Sequence, residues 1–175
     1  MTLEFEISAG AQPDDSLVPF GNLDPRNDRK LEIPASFERR VKYLKHQLEL
    51  ELHCVFTGDR IEISKMVIKG LGKFVGSRDL TQLSLPQVIR TIALDVIPNS
   101  HEWTEETRSR DIEWGKLNSG DGFLAQLYWF EHVSWGAPRS ALMKYLGCSR
   151  TTANAQIRRI AKQYFLPGAH SQKQK

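Results

Sequence analysis

Two periods of apolar residues divide the chain. From Gln47 onward, Leu48, Leu50, Leu52, Cys54 and Phe56 alternate with Glu49, Glu51 and His53, the two-residue repeat of a half-buried strand. Thr57-Gly58-Asp59-Arg60 supplies turn chemistry, and Ile61, Ile63, Val67 and Ile68 build a returning strand. The apolar phase slips between Ile63 and Ile68, which predicts a bulge near Ser64-Lys65. An isolated β-hairpin is marginal in water, so this one needs a following helix or a second subunit over its apolar face.

Downstream the period lengthens to that of helices. Leu80 to Ile97 is thickly apolar, with Ser84 as N-cap, Pro86 in the first turn and Pro98 as stop, and predicts a buried helix against the hairpin. Asp121 caps a second apolar helix, in which Phe123, Leu124, Leu127, Tyr128, Phe130 and Val133 bury on more than one side. His132 lies among them as a packed or surface histidine. Arg139 to Leu146 then makes about two helical turns closed by Gly147, and Ser149 caps the next helix after a turn of about three residues. From Arg150 onward Ala153, Ile157, Ile160, Ala161 and Tyr164 form one stripe. Met143 stands four before the turn glycine, where two crossing helices usually meet at a small residue; a flexible Met packs against the small Ala153.

The remaining stretches are less patterned. Residues 1–30 are rich in Pro, Asp, Asn and Gly and predict a mobile or loosely docked arm. Residues 31–45 suit a short helix capped at Ser36 in which Phe37, Val41 and Leu44 share a face, with Arg39, Arg40, Lys42 and Lys45 as a solvated basic cluster. Residues 99–120 are acidic and polar and mark a linker pinned by Trp103 and Trp114. The predicted fold is therefore α+β. A hairpin-and-helix domain over 31–98 and the 99–120 linker precede a trihelical helix-turn-helix over 121–168, with a basic tail at 169–175.

Charge sharpens this division. The chain holds 24 Lys and Arg against 21 Asp and Glu. From Pro138 to the end there are eight basic residues and no acid, Glu131 being the last. The net +3 thus conceals a C-terminal +8 beside a −5 elsewhere, so the C-terminal part is drawn to a polyanion while the rest is not. Double-stranded DNA is the expected partner. Rotation away from the apolar stripe places Thr151, Asn154, Ala155, Arg158 and Lys162 on one outer face. Arg150, Thr151, Asn154, Arg158 and Lys162 are the candidate base-reading residues, since Arg pairs with guanine and Asn with adenine in bidentate fashion, and Thr offers a hydroxyl and a methyl. Arg139, Ser140, Ser149 and Arg159 are the candidate phosphate contacts.

Other chemistry is not indicated. Gly70 to Gly76, GLGKFVG, matches neither phosphate-loop pattern and reads as a connector. Glu102, Glu105, Glu106, Asp111 and Glu113 have no metal-site spacing. With no nucleophile beside a base, no catalytic residue, metal, cofactor or small-molecule ligand is assigned. Cys54 and Cys148 read as small apolar residues of a reducing compartment, and Cys148 plugs the turn. The start, MTLEFEIS, is unlike a signal peptide and no apolar run reaches membrane-spanning length, so the expected location is the cytoplasm, with no membrane partner.

The run ALMKYLGCSRTTANAQIRRIAKQYFLPG resembles helix-turn-helix proteins of actinomycete bacteria and their phages and mobile elements. In those, a Gly-x-Ser-Arg-[ST]-Thr-Ala run opens the recognition helix and a Leu-Pro pair follows it; Gly147, Ser149, Arg150, Thr151, Thr152, Ala153, Leu166 and Pro167 match. Upstream, LSLPQVIRTIALDVI is similar to a helix preceding that unit. The resemblance spans residues 80 to 168 and implies DNA binding, as expected of a transcriptional regulator. One helix-turn-helix reads few bases, so a homodimer is expected. A different reading of the same unit is a protein-contacting component of a phage or replication complex.

Overall fold

The computed structural model describes residues 5–9, 17–24, 29–97 and 120–167. It is a mixed α+β structure built on a four-stranded antiparallel sheet with helices on one face. The sheet contains β1 (Phe5–Ala9), β4 (Ser36–Tyr43), β5 (Leu48–Phe56) and β6 (Ile61–Gly70), in the order β1-β4-β5-β6. A separate antiparallel pair is formed by β2 (Leu17–Asp24) and β3 (Arg29–Pro34).

Alternation along β5 sets the two faces of the sheet. Leu48, Leu50, Leu52, Cys54 and Phe56 are buried and lie opposite Tyr43, Val41, Arg39 and Phe37 on β4 and Gly70, Ile68, Met66, Ile63 and Ile61 on β6. The outer face carries a lattice of opposite charges: Glu51 accepts Lys69 at 2.7 Å and lies 3.5 Å from Arg40, and His53 lies 2.7 Å from Glu38. Lys69, Arg40 and His53 together hold the Glu51 carboxyl below its usual range, the Lys69 hydrogen bond contributing most. Between β5 and β6, Thr57 donates its N–H to the Arg60 carbonyl at 3.0 Å, and Gly58 takes a φ of 89° that a side chain would strain. The register shifts at Ser64, whose hydroxyl donates to the His53 carbonyl at 3.1 Å.

Burial also fixes the chemistry of Cys54. Desolvation pushes its thiol up to about 12, against a smaller opposing pull from Arg39. Near pH 8 a chromogenic disulfide reagent is expected to titrate the half-buried Cys148 in the native protein and Cys54 only after denaturant is added. Two fast equivalents would show that the β4–β5 pairing opens readily.

The helices are α1 (Ser77–Gln82), α2 (Leu85–Val96), α3 (Asp121–Val133), α4 (Pro138–Leu146) and α5 (Arg150–Ile160). Val88, Ile89, Ile92, Ala93 and Val96 of α2 are buried together with the inner residues of the sheet. Leu124, Leu127, Phe130 and Val133 of α3 join the same cluster, as do Leu142 and Ile160. Residues from both sides of the 98–119 stretch therefore share one core. Three bridges fasten α3 and its exit to the rest. Arg90 of α2 donates to the buried Glu131 at 2.5 Å, and His132 lies 2.7 Å from Asp59. The Trp135 indole N–H donates to the Ile61 carbonyl at 2.6 Å while its own backbone holds a φ of 60°. Such a strained backbone persists only where surrounding contacts over-determine it.

Several expectations are corrected. Residues 31–45 are strands, with a short 3-10 turn at Leu44–His46, rather than a helix capped at Ser36. Phe37 and Val41 are spaced to suit either period, and pairing of β4 with strands on both sides decides between them. Arg39 consequently faces the helices, 2.6 Å from Asp95 of α2, instead of solvent. Within residues 1–30, where an arm was expected, 5–9 pair with β4 and 17–24 pair with β3. Leu80–Ile97 is not one helix: α1 ends at Gln82, the chain is extended at Leu83 and Ser84, and α2 starts at Leu85 with Ser84 at its N-cap and Pro86 in its first turn, as expected. Gly120, not Asp121, occupies the N-cap of α3. The expected linker over 99–120, with Trp103 and Trp114, lies outside the described residues apart from Gly120, and so does the tail at 169–175.

Candidate nucleic-acid interface

The α4–α5 connection is built by two local signals. Gly147 adopts a φ of 60°, and its N–H and that of Cys148 both turn back to the Met143 carbonyl, the latter at 3.1 Å. This satisfies carbonyl valence that a helix end leaves open. Ser149 is extended, and its Oγ accepts the Thr152 N–H at 3.3 Å, which starts α5. Ala153 is fully buried where α5 meets its neighbours, and Met143 is half-buried. The Phe123 and Tyr145 rings, 5.0 Å apart, fill the space between α3 and α4.

The far side of α5 faces water. Arg150, Thr151, Ala155, Arg158 and Lys162 are exposed, and Asn154 is half-buried. Lys162 does not continue the helix: α5 ends at Ile160, and Lys162 occupies the following turn, its N–H bonded to the Arg159 carbonyl at 3.2 Å. Arg139, Ser140 and Ser149 are exposed nearby, Arg139 and Ser140 in the first turn of α4. No protein-family model, curated protein or solved structure matches this chain.

Electrostatics separate the candidate cations. Among the described residues, Arg139, Arg150, Arg158 and Lys162 meet no carboxylate, and no Asp or Glu occurs between Ser134 and Pro167. Arg159, expected as a phosphate contact, is ion-paired with Asp121 in the first turn of α3 and stays largely exposed beside it. The pair ties α5 to α3. Among the described residues no cluster of three His, Cys, Asp or Glu is placed to hold a metal, and no helix is long and apolar enough to cross a membrane.

Two further contacts fix the orientation of α5, and neither is visible as a motif. The Tyr128 hydroxyl donates to the Pro167 carbonyl and the Trp129 indole to the Phe165 carbonyl, both at 2.8 Å. They draw the segment after α5 back onto α3, burying Tyr164 and Leu166. Burial raises the Tyr128 hydroxyl above its ordinary range, with Arg139 opposing. The sequence signal that fits them is an apolar helix carrying polar-tipped aromatics. Their partners lie 39 and 36 residues away.

Proposed function

We propose that α3, α4 and α5 act as a trihelical helix-turn-helix that binds double-stranded DNA with sequence preference, as a transcriptional regulator of a phage, plasmid or other mobile element. The observation that carries this reading is the outer face of α5. Arg150, Thr151 and Arg158 project from a short helix whose start is capped and whose back is buried through Ala153 and Ile160, and no acid shares that face. A rigid helix with free guanidinium groups suits the major groove, which admits an α-helix and offers guanine O6 and N7 to Arg. Arg139 and the hydroxyls of Ser140 and Ser149 flank that face and suit phosphate oxygens.

One unit reads few base pairs, so the active form is a dimer on two half-sites about one helical turn apart. Salt dependence provides the test. Cations set against phosphate release counterions, so the logarithm of affinity is expected to fall with the logarithm of salt concentration, Arg139 alone contributing roughly one unit of slope per protomer. Fluorescence anisotropy with random and selected duplexes at several salt concentrations measures it. Steep dependence together with an enriched motif supports the reading. No binding at low salt would overturn it and make the exposed face of α5 a surface for protein contact.

A further inference from the structure

We propose that β6 is a homodimerisation edge, where two copies of the chain join their sheets antiparallel through Glu62–Lys69 into one continuous eight-stranded sheet. This does not rest on the DNA reading. β6 is the outermost strand on its side of the sheet, and among the described residues no strand pairs with its outer edge. It is ten residues long. A long unpaired strand edge is a template for another strand unless it is blunted or covered. It is apolar on its inner face, where Met66 stays exposed and Ile63 and Ile68 are only partly covered. Ile63 and Met66 border a shallow groove of about 540 Å³ that also takes in Leu85 and Trp135.

The occupant follows from the strand's own sequence and from the slip at Ser64. Opposed residues of an antiparallel pair must point to the same face. Before the slip the inner residues are Ile61 and Ile63; after it they are Met66, Ile68 and Gly70. A two-fold axis through Met66 then sets Met66 against Met66 of the second copy, Lys65 against Val67, Ile63 against Ile68 and Glu62 against Lys69. Ser64 is left as the extra residue, as it already is against β5. Every opposed pair lies on a common face. The pairing places apolar Ile63 on apolar Ile68 on the core side, twice, and sets a carboxylate against an ammonium on the outer side, twice. Lys69 keeps its own Glu51 at 2.7 Å and gains a second carboxylate, whereas Glu62 is exposed and has no basic partner among the described residues. Pairing begins at Glu62, because Trp135 takes the Ile61 carbonyl. The bulge, which in a lone sheet is an irregularity, makes this strand complementary to itself.

The test uses the full chain without DNA, so its outcome is separate from that of the binding assay. Sedimentation velocity across a concentration series is expected to show a monomer–dimer equilibrium. Glu62→Lys, which sets two lysines against each other at both ends of the interface, is expected to raise the dimer Kd about tenfold or more. In a Cys148→Ser background, Met66→Cys is expected to form a disulfide-linked dimer under mild oxidation, because directly opposed positions of an antiparallel pair have Cα atoms about 4.5–5.5 Å apart, within the span of a disulfide. Lys65→Cys, offset from its own copy and on the other face, is expected not to. A protein that is monomeric at every concentration would overturn the proposal. So would a dimer indifferent to Glu62→Lys in which Met66→Cys does not cross-link.

Discussion

Arg158→Ala is expected to weaken binding to a selected duplex by about 1–3 kcal/mol, roughly 5- to 150-fold, and to relax base preference at one position. Arg158 lies two turns into α5, exposed, with Ala155 one turn before it on the same side. A small residue beside a long one lets a base edge approach the guanidinium without obstruction. Among the described residues no carboxylate holds that guanidinium, so no ion pair has to break before it reaches DNA. Arg139 belongs to the first turn of α4 and not to α5. Arg139→Ala is therefore expected to weaken selected and random duplexes alike and to flatten the salt dependence by about one unit of slope. Anisotropy titrations of both variants against both duplexes separate the roles. Equal losses on both duplexes for both variants would mean that the side of α5 presented to bases has been misassigned.

Arg90→Ala is expected to cost about 3 kcal/mol of folding stability, read as a fall in the urea midpoint at unchanged slope. Glu131 is 4% exposed, and its carboxylate accepts Arg90 at 2.5 Å. The guanidinium also lies 5.4 Å from the centre of the Phe130 ring. Removing Arg90 leaves a buried charge without its counter-ion, which costs more than the pair itself contributes. The side chain of Arg90 is 35% exposed, so water partly compensates and the lower part of the range for buried pairs applies. Gly136 tightens the site further. Its N–H donates to the Glu131 carbonyl at 2.6 Å, and a side chain there would collide with the Glu131 carboxylate. Replacing both partners, Arg90→Met with Glu131→Leu, is expected to recover most of the loss, since an apolar pair needs no compensation. If Arg90→Ala shifted the midpoint by less than a surface substitution does, the pair would be no more than a solvated contact.

The parts of the site that a local pattern encodes were legible in the sequence. Gly147, Ser149 and the Ala153–Ile157–Ile160 stripe each work through neighbours within a few residues, and the structure places them at the α4–α5 turn and at the packed side of α5. The ion pair of Arg159 was not legible for the opposite reason. Its periodicity sets it beside Arg158, and nothing nearby in sequence announces Asp121, 38 residues upstream, as its counter-ion. The length of α5 was overestimated because the apolar stripe runs on through Tyr164. The hydroxyl of Tyr128 and the indole of Trp129 capture the backbone just beyond, and the chain leaves the helix to meet them.

The sequence alone determined the strand period of β5, the turn at Thr57–Arg60, the slip near Ser64, the glycine stop of α4 and the charge polarity of the chain. These features are set by contacts within about one turn or one strand repeat, so the residues concerned are adjacent in the chain. Only the tertiary structure decided that residues 36–43 are a strand, since an i to i+4 apolar pair satisfies both periods until β1 and β5 bond to its two sides. It also decided that Arg39 meets Asp95 and that Arg90 meets Glu131. Those partners are 56 and 41 residues apart, and long-range pairing is specified by the packing of whole faces, which no window of sequence contains.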